Sequence, residues 1–456
     1  MTDPWNTREI VLDMLLEVIE GGKFSHTVLN QYLRKHQALS KQDRAFISYI
    51  FTGTVKSYLT LDYVINSYAS LPVKKMKPFI RNLLRMSVYQ LMYMEQVPVS
   101  AVCNEAVKLA KKRSFTKLSG FVNGILRTIA RNKEAIVYPD PVTSPTDFLE
   151  IAYSTPKWLV EELLKTYSYT EVESMLAATL KEKETTIRCN TRRATPEELR
   201  ALLLQEGVSV TESDYLPYAF VIRDYDFLEK LDTFHKGYFT VQDVSSMLVC
   251  EVAGVNKEDF VIDVCAAPGG KALHAAQTAG KVLARDLTEY KIKLIEENIS
   301  RMGFTNVTAQ VWDATVPDES LAGQADVVIA DLPCSGLGVF GKKADLKYKL
   351  TQSQHKELVE LQRVILDKAE KYVKPGGVLI YSTCTVLRGE NEGNRNWFLQ
   401  NYSYMPESLD PRLPEVLHSQ TTKEGYLQLL QGVHNTDGFF IAKFRKKSGI
   451  SCDKSK

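Results

Sequence analysis

Two cysteines and a set of aspartates in the second half of the chain have the types and spacing that could do chemistry. Cys334 stands in Asp331-Leu332-Pro333-Cys334-Ser335-Gly336 and Cys384 in Tyr381-Ser382-Thr383-Cys384-Thr385, each just past an apolar run. Asp331 closes one run, and Asp286 and Asp313 close two earlier ones. One thiol alone is most often an inert, small buried group. Two thiols at neighbouring strand ends suit attack on a pyrimidine. A thiolate adding to C6 turns the ring into an enamine, so that C5 can take a methyl group from a sulfonium donor. A carboxyl near N3 stabilises the charge developing on the ring, a base removes the C5 proton, and the thiol leaves by elimination.

The elements that must position these groups begin at about residue 237. Apolar runs at Phe260–Val264, Val282–Asp286, Val307–Trp312, Val327–Asp331 and Val378–Ser382 predict strands. Helical patterns at Lys271–Ala279, Thr288–Met302, Gln352–Val373 and Gly389–Asn401 lie between and after them, and two late strands are expected at Tyr426–Leu430 and Phe439–Phe444. This alternation predicts an open α/β, mostly parallel, doubly wound sheet, whose ligands sit beyond the carboxyl ends of the strands. After the first strand comes Asp263-Val264-Cys265-Ala266-Ala267-Pro268-Gly269-Gly270-Lys271, a small-residue turn that lets a ligand approach the backbone. Asp286, at the end of the second strand, is placed to accept the hydroxyls of a ribose. The turn after the first strand carries neither GxxxxGK[ST] nor a strict GxGxxG, so a nucleoside cofactor without a phosphate to bind is favoured.

The first 130 residues read as helices. Ile10, Val11, Met14, Leu15, Val18 and Ile19 repeat at helical spacing, and Ser40 with Asp43 forms a cap ahead of Phe46, Ile47, Ile50, Phe51 and Val55. Further helices are expected at 61–68, 79–94, 100–111 and 118–130. Pro139, Pro141 and Pro145 are expected to interrupt any helix across 132–146. One helix is then expected over 153–167 and another over 170–180. Short strands at 186–190, 208–210 and 219–222 around a helix at 196–206 suggest a small α+β module.

Composition separates the parts. The first 140 residues hold 20 Lys and Arg against 11 Asp and Glu, whereas the remainder holds 37 against 44, and the whole chain is +2. A basic first third suits a polyanionic partner. With 44% hydrophobic residues the chain is not a disordered one, and no apolar run reaches the roughly 18 residues of a membrane helix. The expectation is therefore a soluble, cytoplasmic protein. Seven cysteines without a CxxC pair argue against a disulfide framework or zinc ribbon, and no metal is expected.

The strings DVCAAPGGK, DLPCSGLG and YSTCT, in this order and spacing, resemble the RNA cytosine-C5 methyltransferases. The resemblance implies S-adenosyl-L-methionine as cofactor, Cys384 as the nucleophile, Cys334 as the thiol assisting product release, and Asp331 as the carboxyl near N3. It implies cofactor contacts from Cys265, Ala266, Ala267, Pro268, Gly269, Gly270 and Lys271, and from Asp286, Asp313 and Asp331. The segments Pro98–Val107 and Ser119–Arg127 resemble the NusB antitermination-factor fold, an RNA-binding helical domain. Lys111, Lys112, Arg113 and Lys117 between them are candidate phosphate contacts, and Lys74, Lys75 and Lys77 form a second patch. Tyr153–Trp158, Arg188-Cys189-Asn190-Thr191 and Val241-Gln242-Asp243 also fit, the last as a candidate pocket lining. Ala272 departs from the pattern, since a hydroxyl residue often follows Gly-Gly-Lys.

Together these parts resemble the bacterial 16S rRNA cytosine-C5 methyltransferases of the Sun/Fmu (RsmB) type. The expected architecture is a NusB-like bundle over 1–138, a small α+β module over 148–236, a Rossmann-like methyltransferase domain over 237–447 and a polar tail over 448–456. The expected substrate is 16S rRNA, with tRNA or 23S rRNA as the alternative substrates and a non-catalytic RNA-binding assembly factor as the alternative class. A monomer is the default expectation.

Overall fold

The structure is a computed structural model and describes residues 6–181 and 184–448. Residues 449–456 of the expected tail, with Cys452, lie outside the described residues. By their contacts the residues form two units. One is drawn from Met1–Glu182 together with Phe340–Lys349, and the other from Lys183–Val339 and Leu350–Lys456. Residues 148–182 thus fall in the first unit and 184–236 in the second.

The first unit is helical. Helices Thr7–Leu15, Ser25–Lys35, Lys41–Lys56, Tyr58–Tyr68, Val99–Lys112 and Ser119–Asn132 turn their apolar stripes inward. Pro78–Tyr93 is buried on most of its faces, as a central helix must be. Its one buried cation, Arg85, is forked onto Asp62 at 2.7 and 2.8 Å and lies over the Tyr58 ring. Ser40 accepts the Asp43 N–H at 3.1 Å, as the cap pattern requires.

Two expectations fail here. Pro145 does not interrupt a helix but starts one, Pro145–Ala152, because the first helical position needs no N–H donor. The single helix expected over 153–167 is instead broken. Ser154 takes a left-handed backbone (φ 50°), Pro156 follows, and the helix resumes at Lys157–Leu164.

The second unit holds two sheets. The smaller is antiparallel, in the order β2-β3-β1-β4, with β1 Thr185–Cys189, β2 Ser209–Glu212, β3 Ala219–Arg223 and β4 Phe239–Val241. Its helix, Pro196–Gln205, begins on a reciprocal Thr195/Glu198 cap. β4 was not anticipated, nor was the helix Val244–Ala253. That helix is buried on most of its faces, so its apolar stripe is weak.

The larger sheet contains β5 Phe260–Asp263, β6 Lys281–Asp286, β7 Val307–Val311, β8 Ala325–Asp331, β9 Val373–Thr383, β10 Tyr404–Pro406, β11 Tyr426–Leu429 and β12 Phe439–Lys446. Its order is β10-β12-β9-β8-β5-β6-β7, with β11 on β12. β5 to β9 run parallel, and β12 returns antiparallel to β9. The chain moves outward in one direction from β5 to β7 and in the other from β8 to β9. The switch point therefore lies between β5 and β8, where a crevice opens at the carboxyl ends. No helix among the described residues is long and apolar enough to cross a membrane.

Candidate active site

The turn after β5 is built to face a ligand with its backbone. Ala266 N–H donates to the Arg285 carbonyl at 2.8 Å, and the Ala267–Pro268 peptide is cis. Gly269 sits at φ 105°, a conformation only glycine adopts readily, and the following helix starts at Gly270. Asp286, at the end of β6, is nearly buried and already braces this turn. Its Oδ2 accepts the Ala267 N–H at 2.9 Å, and its Oδ1 accepts from the Leu287 N–H and from Lys291 Nζ. A carboxylate has about four acceptor positions, so capacity remains for a ribose hydroxyl. Asp313 lies just beyond β7, exposed. Its carboxyl is held below its usual range by hydrogen bonds from the Thr315 hydroxyl and N–H. The Cys265 thiol is pushed up by burial, which leaves its backbone as its contribution.

Lys271 links this turn to β8. Its ammonium donates to Asp331 Oδ2 at 2.7 Å and lies 5.2 Å from the centre of the Phe439 ring. Burial opposes its charge, but Asp331, with Asp263 and Cys384 adding to it, outweighs that and holds the group above its ordinary value. Asp331 Oδ1 takes the Ser382 hydroxyl at 2.7 Å, so its side chain is fixed by β9 on one side and by the helix after β5 on the other. Asp263, named only within a motif string above, is fully buried, and its Oδ2 has no hydrogen-bond partner. Burial, then the nearby Asp331, pushes it up to about 7.

The two thiols meet. Cys334 Sγ and Cys384 Sγ are 3.2 Å apart, beyond the ends of the adjacent strands β8 and β9. The bond to Cys384, then burial, raises the Cys334 thiol well above its ordinary value. The loop after Cys334 is tied to the loop after β9 at several points. Ser335 Oγ bonds Thr385 Oγ1 at 2.7 Å, and Gly338 N–H donates to the Cys384 carbonyl at 2.9 Å. A Cβ at Gly338 would lie 1.8 Å from the Gly438 carbonyl oxygen, so the backbones approach as only glycine allows.

Sequence reasoning missed the groups beneath this site. Glu390, Gln362 and His355 pack under the Cys334 turn. Glu390 lies in Gly389-Glu390-Asn391-Glu392, which reads as an ordinary polar helix start, and nothing local marks it as buried. Arg188 on β1 is fully buried and bonds Gln242 Oε1 at 2.7 Å and the Gly270 carbonyl at 3.3 Å. Burial lowers it to about 10. Gln242 packs against Gly270, Val241 is exposed, and Asp243 caps the helix that follows.

Within the helical unit, Lys112 pairs with Glu9 at 2.6 Å, while Arg113 pairs with Glu9 and Asp13 at 3.0 and 2.8 Å. A phosphate would have to compete with those carboxylates. Lys111 and Lys117 are exposed on the helix end and the turn beyond it. Cys103, Cys189 and Cys250 are buried, as expected of core residues.

The chain matches the model of the 16S rRNA methyltransferase RsmB/F family over residues 252–445. It also matches the NusB family over 5–131 and the ferredoxin-like domain of the RsmF/B-like methyltransferases over 155–225. A Bacillus subtilis protein named "Probable ribosomal RNA small subunit methyltransferase B" is 35% identical over 448 residues, covering 97% of this chain and 99% of its own. The chain belongs to the RsmB/F methyltransferase family. Another member, ribosomal RNA small subunit methyltransferase B of Proteus mirabilis, is 28% identical and covers 98% of this chain and 100% of its own. Among solved structures, the protein PH0851 aligns with a TM-score of 0.79 and 27% identity over 98% of this chain and 100% of its own. NSun6 from Pyrococcus horikoshii, solved with SFG, aligns with a TM-score of 0.56 and 25% identity over 64% and 98%. The helical, ferredoxin-like and Rossmann-like parts are thus those of this methyltransferase family.

Proposed function

We propose that the protein methylates C5 of a cytosine in 16S rRNA, using S-adenosyl-L-methionine. The observation that carries this is the pair of thiols 3.2 Å apart beside the Lys271–Asp331 ion pair, at the switch point of the sheet. The names of the relatives support rRNA of the small subunit as substrate. When bound, the cofactor supplies an electrophilic methyl on a sulfonium. The turn Cys265–Lys271, Asp286 and Asp313 fit it, because a glycine-opened helix start and strand-end carboxylates can take a nucleoside that carries no phosphate.

Cys384 adds through its sulfur to C6 of the base. Its attraction to the Lys271 ammonium favours the thiolate that must attack. Asp331, fixed by Lys271 and Ser382, offers the carboxyl that stabilises charge at N3. After C5 is methylated and has lost its proton to a base, Cys384 leaves C6 as a thiolate. Cys334 keeps its proton, so its S–H can donate to the departing Cys384 sulfur, which assists release. C6 is inaccessible within a stacked helix, so the cytosine must be unpaired or flipped.

Methyl transfer from labelled S-adenosylmethionine to separate pools of 16S rRNA, 23S rRNA and tRNA tests the proposal. One labelled cytosine in 16S rRNA, resistant to bisulfite and absent with Cys384→Ala, is expected. Cys334→Ala should leave a long-lived covalent RNA adduct through Cys384. Label in another pool would discard the substrate, and an adduct surviving in the Cys384→Ala Cys334→Ala double variant would discard the assignment of roles.

A further inference from the structure

The carboxyl of Glu390 is fully buried, at 0% exposure. Burying such a group is costly unless its bonds do something specific. Its Oε2 accepts the Ser335 N–H at 2.9 Å and Gln362 Nε2, also at 2.9 Å. The same Gln362 nitrogen donates to the Pro333 carbonyl at 2.9 Å. The peptide groups on both sides of Cys334 are therefore gripped by one Glu390–Gln362 pair. Gln362 is itself oriented by Asn394 Nδ2 at 2.8 Å, and the Tyr381 hydroxyl donates to the Glu390 carbonyl. Glu390 Oε1 has no hydrogen-bond partner, and it faces an equally unpartnered His355 Nε2 at 3.8 Å.

We propose that Glu390 is a positioning residue for the release thiol: it grips the turn around Cys334 and so holds that sulfur against Cys384. The inference rests on the assignment of Cys384 as nucleophile and Cys334 as release thiol. Burial raises the Glu390 carboxyl above its usual range, and its second oxygen, Oε1, is left facing the histidine ring. A glutamine at 390 preserves this arrangement, since its oxygen can take the Ser335 N–H while its amide faces the histidine nitrogen. Alanine frees the Ser335 side and removes the carboxylate that anchors Gln362. The Cys384 side, whose strand is set by β9, is left in place.

The experiment compares wild type with Glu390→Ala, Glu390→Gln, Gln362→Ala, Cys334→Ala and Cys384→Ala on 16S rRNA. Adduct formation in a single turnover, steady-state methyl transfer and KM for RNA are read for each. Glu390→Ala is expected to form the adduct as fast as wild type but to turn over about 100-fold more slowly, the cost of displacing a reacting group by about 1 Å. KM should be unchanged and the trapped adduct should build up as in Cys334→Ala. Glu390→Gln should restore turnover, and Gln362→Ala should repeat the trapping by releasing the Pro333 side, which keeps the test decisive if Glu390→Ala fails to fold. If Cys334→Ala traps the adduct while Glu390→Ala and Gln362→Ala turn over normally, or lose adduct formation and turnover together, the positioning role is wrong. If Cys334→Ala traps nothing, the assignment of the thiols has failed, and this inference with it.

Discussion

At the scale of single residues, Asp263 is a buried carboxyl whose ionisation the fold opposes. Its carboxyl titrates at about 7 in the folded chain against 3.8 ordinarily. Below about pH 4 both folded and unfolded chains hold the proton and the group is neutral to stability. Between about 4 and 7 the unfolded chain releases it while the folded chain keeps it, so stability is lost as pH rises. Above 7 the full cost, about 4 kcal/mol, is present. Replacing the carboxyl by an amide removes that slope. Chemical denaturation at pH 5 and pH 8 should show Asp263→Asn gaining on wild type at the higher pH. An unchanged difference would mean that Asp263 is ionised in the folded protein throughout. The motif marked this residue's place in the turn, but its burial came from β6 and β8 closing over it, which no local pattern records.

Among the elements, Phe340–Lys349 is the least expected. It follows the Cys334 loop in sequence yet belongs by contact to the helical unit. Asp345 accepts the Ser25 N–H at 3.1 Å and pairs with Lys349, while Lys349 donates to the Gly22 and Lys23 carbonyls. The buried Tyr348 hydroxyl donates to the Lys56 carbonyl at 2.7 Å and bonds Ser154 Oγ at 2.8 Å. Truncating it leaves a cavity and two unmet polar groups. Tyr348→Ala should cost about 3 kcal/mol of stability and open 340–349 to protease, read by urea titration and limited proteolysis. Ser154 takes its left-handed turn where its hydroxyl receives the Leu59 N–H and meets Tyr348, so the break between the two helices is set by residues far along the chain. A reading of local period could not see it.

For the whole molecule, the charge division separates a basic first third from an acidic remainder. The basic first third was legible from composition, but which lysines are available was not. Lys112 and Arg113 are neutralised by Glu9 and Asp13, roughly a hundred residues earlier. Lys111 and Lys117 are exposed beside them. If this end of the bundle meets phosphate, Lys111→Ala with Lys117→Ala should lower the slope of log affinity against log salt by about two. Lys112→Ala should change it little, measured by filter binding across a salt series. Equal slopes for all variants would move the contact elsewhere, with Lys74, Lys75 and Lys77 next to be tested.

The sequence by itself determined the candidate groups and the elements that carry them. Cys334, Cys384, Asp331, Asp286 and the Cys265–Lys271 turn are named by type and order. The alternation of strand and helix announces a parallel sheet whose carboxyl edge collects them. Period and motif are local properties, and local properties survive translation into structure. Only the tertiary structure decided that two sulfurs 50 residues apart lie 3.2 Å from one another, and that Lys271 crosses to Asp331. It alone decided that Glu390 and Gln362 bond the two sides of one cysteine and that ten residues of the second half complete the helical unit. Those facts depend on the order of strands across the sheet and on what is buried between layers, and burial is decided by partners distant in the chain.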